Sequence, residues 1–281
     1  ELSAIQGAMH IYHRSRTAFF AEYQNDPIPP GFGDAVDELT KSQILAKVNN
    51  MPRRIVPRDC TRVTAFIDVG KQILLYGVAA WDERYGGAIL DYGAFPPQNR
   101  QTFTAEEPRP SLSEMFPGSS ETALIYQGLA NLVPRLLSTE WKQHETGAPL
   151  KIERLLIDIG WQAETIFKYV RESGLQALIV PSKGHSVRAQ HAPMHEWKGK
   201  PGQRQGFNWR LYPPESGKGR WVIFDANAWK SFLADRLRLP MGARGSFTLF
   251  GSERDARDGV HQSLLEHLTS EYRATMTHDQ S

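Results

Sequence analysis

Two apolar runs in this chain end the same way, in an aspartate followed by one residue and a glycine. They are Thr64-Ala65-Phe66-Ile67-Asp68-Val69-Gly70 and Arg154-Leu155-Leu156-Ile157-Asp158-Ile159-Gly160. A carboxylate at the end of a buried strand is costly unless it is paired or binds a metal. Two such acids on adjacent strands can share hard cations, because oxygen ligands suit Mg²⁺ and Mn²⁺. Two such ions, about 4 Å apart, stabilise the attacking and leaving oxygens of phosphodiester hydrolysis. Either aspartate alone also reads as a turn or cap residue ahead of glycine. It is the matched pair that favours the metal reading and makes Asp68 and Asp158 the candidate catalytic carboxylates.

Charge supplies the second clue. The net charge is only +2, but residues 181–221 hold eight Lys or Arg against two acids, an excess of six positive charges. Clustered cations are an electrostatic footprint for a polyanion such as duplex DNA, and equally describe a solvated loop. On the first reading Lys183, His185, Arg188, Lys198, Lys200 and Arg204 contact phosphate. His191 and His195 lie in the same stretch; without a nearby cysteine pair, phosphate contact or plain exposure is preferred to zinc ligation. Trp197, Trp209 and Trp221 interleave with the cations; stacking on unpaired bases competes with core packing, which is favoured for Trp209 and Trp221. Asp91, in the middle of an apolar run, either faces the acidic site or lies at a sheet edge. The single cysteine, Cys60, excludes an internal disulfide framework and reads as an inert thiol.

The elements that must position these residues follow from periodicity. Residues 62–69, 73–81 and 87–95 are β-rich, apolar and separated by short turns, which predicts an antiparallel meander. After a Pro-rich loop, 121–140 carries Leu124, Ile125, Leu129, Leu132, Val133, Leu136 and Leu137 on one helical face. A buried strand over 152–159, a helix over 163–173 stopped by Gly174, and a strand over 178–180 come next. Residues 209–212 and 220–224 predict a hairpin, 229–237 a helix, 247–250 a short strand and 264–272 a last helix. Residues 6–23 and 35–49 predict two helices joined by a Pro/Gly linker, giving an N-terminal arm over 1–60 ahead of a main domain over 61–281. Three strands followed by helix-strand-helix-strand predict a mixed α/β sheet flanked by helices, the order of the RNase H-like fold.

Motif order adds a family. Phe19-Phe20-Ala21-Glu22-Tyr23-Gln24-Asn25-Asp26-Pro27 resembles the segment that closes the ATPase domain of the lambda-like GpA family of phage terminase large subunits. The run ending at Asp68 resembles that family's first nuclease strand. The run ending at Asp158, with the helix after it, resembles the second acidic motif. Pro181-Ser182-Lys183-Gly184, Ala228-Trp229-Lys230 and Leu268-Thr269-Ser270-Glu271 are similar to later elements, so the resemblance spans about residues 15–273 in consistent order. It implies a divalent-metal-dependent endonuclease domain, using Mg²⁺ or Mn²⁺, that cuts concatemeric viral DNA. It implies double-stranded DNA, a portal and a small terminase subunit as partners, and host cytoplasm as the location. Two departures are expected to matter. No G-x-x-x-x-G-K-[ST] nucleotide loop is present, so the sequence reads as the nuclease part without the ATPase. The family's third metal-binding acid lies in an Asn-Glu/His-x-Leu-Asp segment beyond the last motif, and the chain reaches Ser281 without one. Asp225, Asp255, Asp258 and His261 are the available substitutes, with Asp258 and His261 carried forward as metal candidates.

The remaining composition is that of a globular protein, 40% hydrophobic and 23% charged with a mean hydropathy of −0.46. No run approaches the roughly 18–20 apolar residues of a membrane helix, and the first residues carry no basic-then-apolar signal pattern. Two rivals remain: a resolvase- or transposase-type nuclease on the same fold, and a catalytically silent DNA-binding module.

Overall fold

The computed structural model describes residues 39–100, 103, 105, 107–185, 194, 197–199, 201–215 and 218–269. Thr40–Leu268 form one compact unit. The chain runs through α1 (Lys41–Leu45), β1 (Ile55–Val56), β2 (Arg62–Val69), β3 (Leu74–Trp81) and β4 (Gly87–Phe95). It continues through α2 (Leu112–Met115), α3 (Glu121–Ser138), β5 (Trp141–Gln143), β6 (Pro149–Leu150), β7 (Ile152–Asp158) and α4 (Ala163–Glu172). The last part holds β8 (Ile179–His185), β9 (Arg204–Gly206), β10 (Trp209–Tyr212), β11 (Trp221–Asp225), α5 (Ala226–Arg238), β12 (Phe247–Leu249), α6 (Glu253–Arg257) and α7 (Gln262–Thr269).

Nine strands form the main sheet in the order β12-β4-β3-β2-β7-β8-β11-β10-β9. The meander β2-β3-β4 is antiparallel, whereas β7 joins β2, β8 joins β7 and β11 joins β8 in parallel. Helix crossovers such as α4, between β7 and β8, are what parallel neighbours require. The architecture is therefore the mixed α/β sheet of the RNase H-like order. The expected hairpin is β10-β11, pairing Trp209 with Phe224 through Tyr212 with Trp221. Strand β9 extends it, and a three-stranded sheet β1-β5-β6 stands apart; neither has a periodic signal in its two or three residues.

Strict alternation places β2. Val63, Ala65, Ile67 and Val69 are at most 5% exposed, while Thr64 and Phe66 are half-buried and Asp68 is exposed on the other face. The buried set packs in one core with Leu155 and Ile157 of β7, Leu129 and Leu132 of α3, and Ile166 and Val170 of α4. Ser120 caps α3, accepting a bond from the Ala123 amide, and the apolar stripe of α3 recurs every three or four residues onto the sheet. Cys60 is 2% exposed in this core, and burial pushes its thiol pKa up to about 12, so the expected inert thiol has a physical cause.

Within the region expected to be helical over 35–49, the described part forms only the short α1. Its capping box uses Thr40 and Gln43, and the helix ends early because the chain turns to bridge Val48 with Leu249. Ile44 is fully buried there, so residues 40–60 share the compact unit with the sheet. The expected helix over 6–23 lies outside the described residues. Among the described residues no helix is long and apolar enough to cross a membrane.

Candidate active site

The acidic centre is built by register. Strands β2 and β7 run parallel with Ile67 opposite Ile157, so Asp68 and Asp158 emerge side by side one residue further on. Asp158 is in turn paired with Ser182 of β8. Because Ile67 and Ile157 face the buried core, alternation turns both carboxylates to the opposite face of the sheet.

Asp158 does make the local turn that an aspartate before glycine can make. Its Oδ2 accepts the Gly160 amide at 3.0 Å. A Cβ at Gly160 would lie 2.9 Å from the same oxygen, so a side chain there would push the Asp158 carboxylate aside. Such a bond lowers a carboxyl pKa, yet the Asp158 pKa is raised, because burial and the neighbouring Asp68 charge outweigh it. Asp68 is raised as well: although part of the residue reaches solvent, the surrounding protein desolvates its carboxylate, and this outweighs the Val69 amide and the electrostatic pull of His267 and Lys230. Two carboxylates whose ionised forms burial disfavours, one feeling the other's charge, suit a cationic occupant. Their hard oxygen donors fit Mg²⁺ or Mn²⁺.

The cations around this centre come from separate elements. Lys183, exposed on β8, acts on Asp158; Lys230 on α5 and His267 on α7 act on Asp68. Lys230 was visible only as part of a motif, and nothing in its own spacing marked it as a neighbour of Asp68. His267 carried no signal at all.

Two further residues close the rim. Lys71 follows the Asp68 strand and Trp161 follows the Asp158 strand, and the Lys71 ammonium sits 5.0 Å from the centroid of the Trp161 ring. Trp161 is 36% exposed, and the next residue, Gln162, holds a left-handed backbone (φ 51°) as the N-cap of α4. A non-glycine residue in that region carries strain that functional sites often store.

The other expected site residues divide. Asp258 caps α6 and pairs with Arg254 at 3.4 Å. His261 is fully buried, its Nδ1 is 2.8 Å from the Tyr92 hydroxyl, and its ring packs on Phe250; burial lowers its pKa. Asp225 caps α5, bonding the Ala228 amide, and Asp255 caps α6, accepting the Ser252 amide and hydroxyl. Among the described residues, no group of three or more His, Cys, Asp or Glu is placed to hold a metal ion. Asp91 is 1% exposed and is clamped by Arg53 and Arg54. It shares a pocket with Leu132 and Leu136 of α3, on the face away from Asp68.

In the basic stretch Lys183, Lys198 and Arg204 are exposed, whereas His185 is half-buried with its ring edge-on to Trp197 at 5.0 Å. Arg188, Lys200, His191 and His195 lie outside the described residues. Arg210, counted among the eight cations, is 5% exposed and donates to the Met194 and Trp197 carbonyls at 2.9 and 2.7 Å. It ties Met194 and Trp197 to the hairpin instead of facing a ligand. Trp221 stacks on Tyr212 with centroids 4.4 Å apart, a packing role.

Comparison with known families decides the wider identity: the family model described as terminase large subunit gpA, endonuclease domain, matches residues 18–281. The chain belongs to that family. No curated protein and no solved structure matches it.

Proposed function

We propose that this terminase endonuclease domain is a divalent-metal-dependent endodeoxyribonuclease that cuts concatemeric phage DNA during packaging, in the host cytoplasm. The observation carrying the reading is the side-by-side emergence of Asp68 and Asp158 from β2 and β7, each with its pKa raised. These two carboxylates would hold Mg²⁺ or Mn²⁺. When bound, a pair of such ions neutralises acid and phosphate and stabilises charge on the attacking and leaving oxygens.

The protein's own groups do the rest. Asp68 and Asp158 fix the depth of the reacting phosphate at the strand ends. Lys183 and Lys230 flank the acids from two sides and offset the negative charge that accumulates when a phosphodiester approaches. Lys198 and Arg204, with Arg188, Lys200 and His185 of the same stretch, would grip the duplex backbone, while Trp161 and Lys71 engage the strand beside the acids. The compact unit over Thr40–Leu268 carries this activity. Portal and small terminase subunit are the packaging partners.

A second reading, a DNA-holding module that does not cut, draws on the absence of a three-ligand group among the described residues. Plasmid nicking in Mn²⁺, against an EDTA control and alongside duplex binding, separates the two. Nicking that needs the cation supports the nuclease; binding without nicking supports the silent module.

A further inference from the structure

On the face of the sheet away from the acids, a cavity of about 240 Å³ is lined by Arg54, Tyr76, Asp91, Arg135, Ser138 and Thr139 over the apolar floor of Leu132 and Leu136. We infer that this cavity is a binding site for a small phosphate-bearing anion of phosphate to diphosphate size. The inference does not rest on the nuclease reading.

Charge balance is the first argument. Asp91 is buried, with Arg53 bonded to Oδ1 at 2.6 Å and Arg54 Nε bonded to Oδ2 at 3.0 Å. One carboxylate therefore faces two guanidiniums, and Arg135 adds a third. Among the described residues no ion pair or hydrogen bond engages the Arg135 guanidinium. The charged groups that line the hollow are Arg54 and Arg135 against Asp91, an excess of one positive charge, and Arg53 pairs the same carboxylate from outside the lining.

Geometry is the second. Arg54 holds a left-handed backbone (φ 71°), an unfavourable conformation for a long side chain, and the residue lines the cavity with its Nε fixed by Asp91. Arg135 reaches the same hollow from the last turn of α3, and the Tyr76 hydroxyl, with no hydrogen bond among the described residues, is a spare donor. Arginine forks and a hydroxyl converging from three elements match the oxygens of a phosphate.

One feature opposes an anion. The C-terminus of α3 points here, and a helix end carries about −0.5 of a charge. The net positive lining outweighs it, and the Ser138 and Thr139 hydroxyls already cap the Arg135 carbonyl at 3.2 and 2.8 Å. Size sets the ligand class: sites for whole small molecules run to about 300–1,000 Å³, so this one takes a phosphate or diphosphate group, not a nucleoside.

The test is thermal unfolding of the full chain in EDTA, titrated with sodium pyrophosphate against chloride of matched ionic strength. Parallel arms use ADP and a short duplex, to separate a free or nucleotide phosphate from a DNA backbone phosphate. The expected result is a saturable rise of about 3 °C by low millimolar pyrophosphate. In Arg135→Gln, which removes an exposed side chain and leaves the Asp91 clamp intact, the midpoint should weaken at least tenfold. Asp158→Asn should respond like the parent. A response from ADP or duplex alone that Arg135→Gln abolishes assigns the phosphate to that source. No saturable shift in any arm, or a shift that Arg135→Gln retains in full, overturns the site.

Discussion

The Lys71 ammonium lies 5.0 Å over the Trp161 ring, joining the loop that follows Asp68 to the loop that follows Asp158. If the paired aspartates are the cleavage centre proposed above, a half-exposed tryptophan held this way beside them is placed to stack on a base or sugar of the bound strand. Trp161→Ala should therefore raise KM for nicking by about tenfold, within the roughly 1–3 kcal/mol that base–aromatic stacking supplies. Trp161→Phe should recover most of the loss, and melting temperature should barely move, since an exposed cation–π contact contributes about 0.5–1 kcal/mol. Unchanged KM in Trp161→Ala would make the contact merely structural.

The raised pKa values of Asp68 and Asp158 carry a signed consequence for the metal-free protein. A carboxyl whose folded pKa exceeds its unfolded value stabilises the fold below the unfolded pKa, and that contribution is lost as pH rises through the folded pKa. Above the ordinary aspartate value of about 3.9, the parent should lose stability that Asp68→Asn and Asp158→Asn retain. In EDTA each variant should melt higher than the parent at neutral pH, by about 1–3 °C, and the gap should close toward pH 4. Variants that melt lower across the whole range would show that the two acids stabilise the empty site.

Salt dependence locates the DNA-holding surface. Each phosphate contact contributes about −0.9 to the slope of log affinity against log salt. Lys183, Lys198 and Arg204 are exposed, so their combined replacement by Ala should flatten the slope by about two to three units. Arg210→Ala should behave differently, costing about 3 kcal/mol of local stability through two lost charged hydrogen bonds and leaving the slope alone. Superimposable slopes for the triple variant and its parent would move the DNA elsewhere.

Much of this was legible because period and position coincide. The alternation in β2 and β7 set both the strands and the aspartates at their ends, and the stripe of α3 announced its buried face. The pairing of Ile67 with Ile157 is a matter of which strands become neighbours, and no local pattern encodes it. Asp91 shows the limit most clearly: mid-strand aspartate is ambiguous until Arg53 and Arg54, some 37 residues earlier, are seen to clamp it. Arg210 looks like its basic neighbours in sequence, and only burial among the Met194 and Trp197 carbonyls sets it apart. Lys230 and His267 reach Asp68 through tertiary packing of α5 and α7, beyond any spacing rule.

Nicking of supercoiled plasmid in Mn²⁺ by the parent, Asp68→Asn and Asp158→Asn tests most directly whether the two acids together form the cation-dependent cleavage centre. All three should show the same duplex affinity in EDTA. The parent should nick only with the cation, and each variant should fall at least about a hundredfold, the scale of losing the acids that position a metal-stabilised phosphoryl reaction. Nicking by Asp158→Asn at the parental rate, or parental nicking that persists in EDTA, would place the cleavage centre elsewhere.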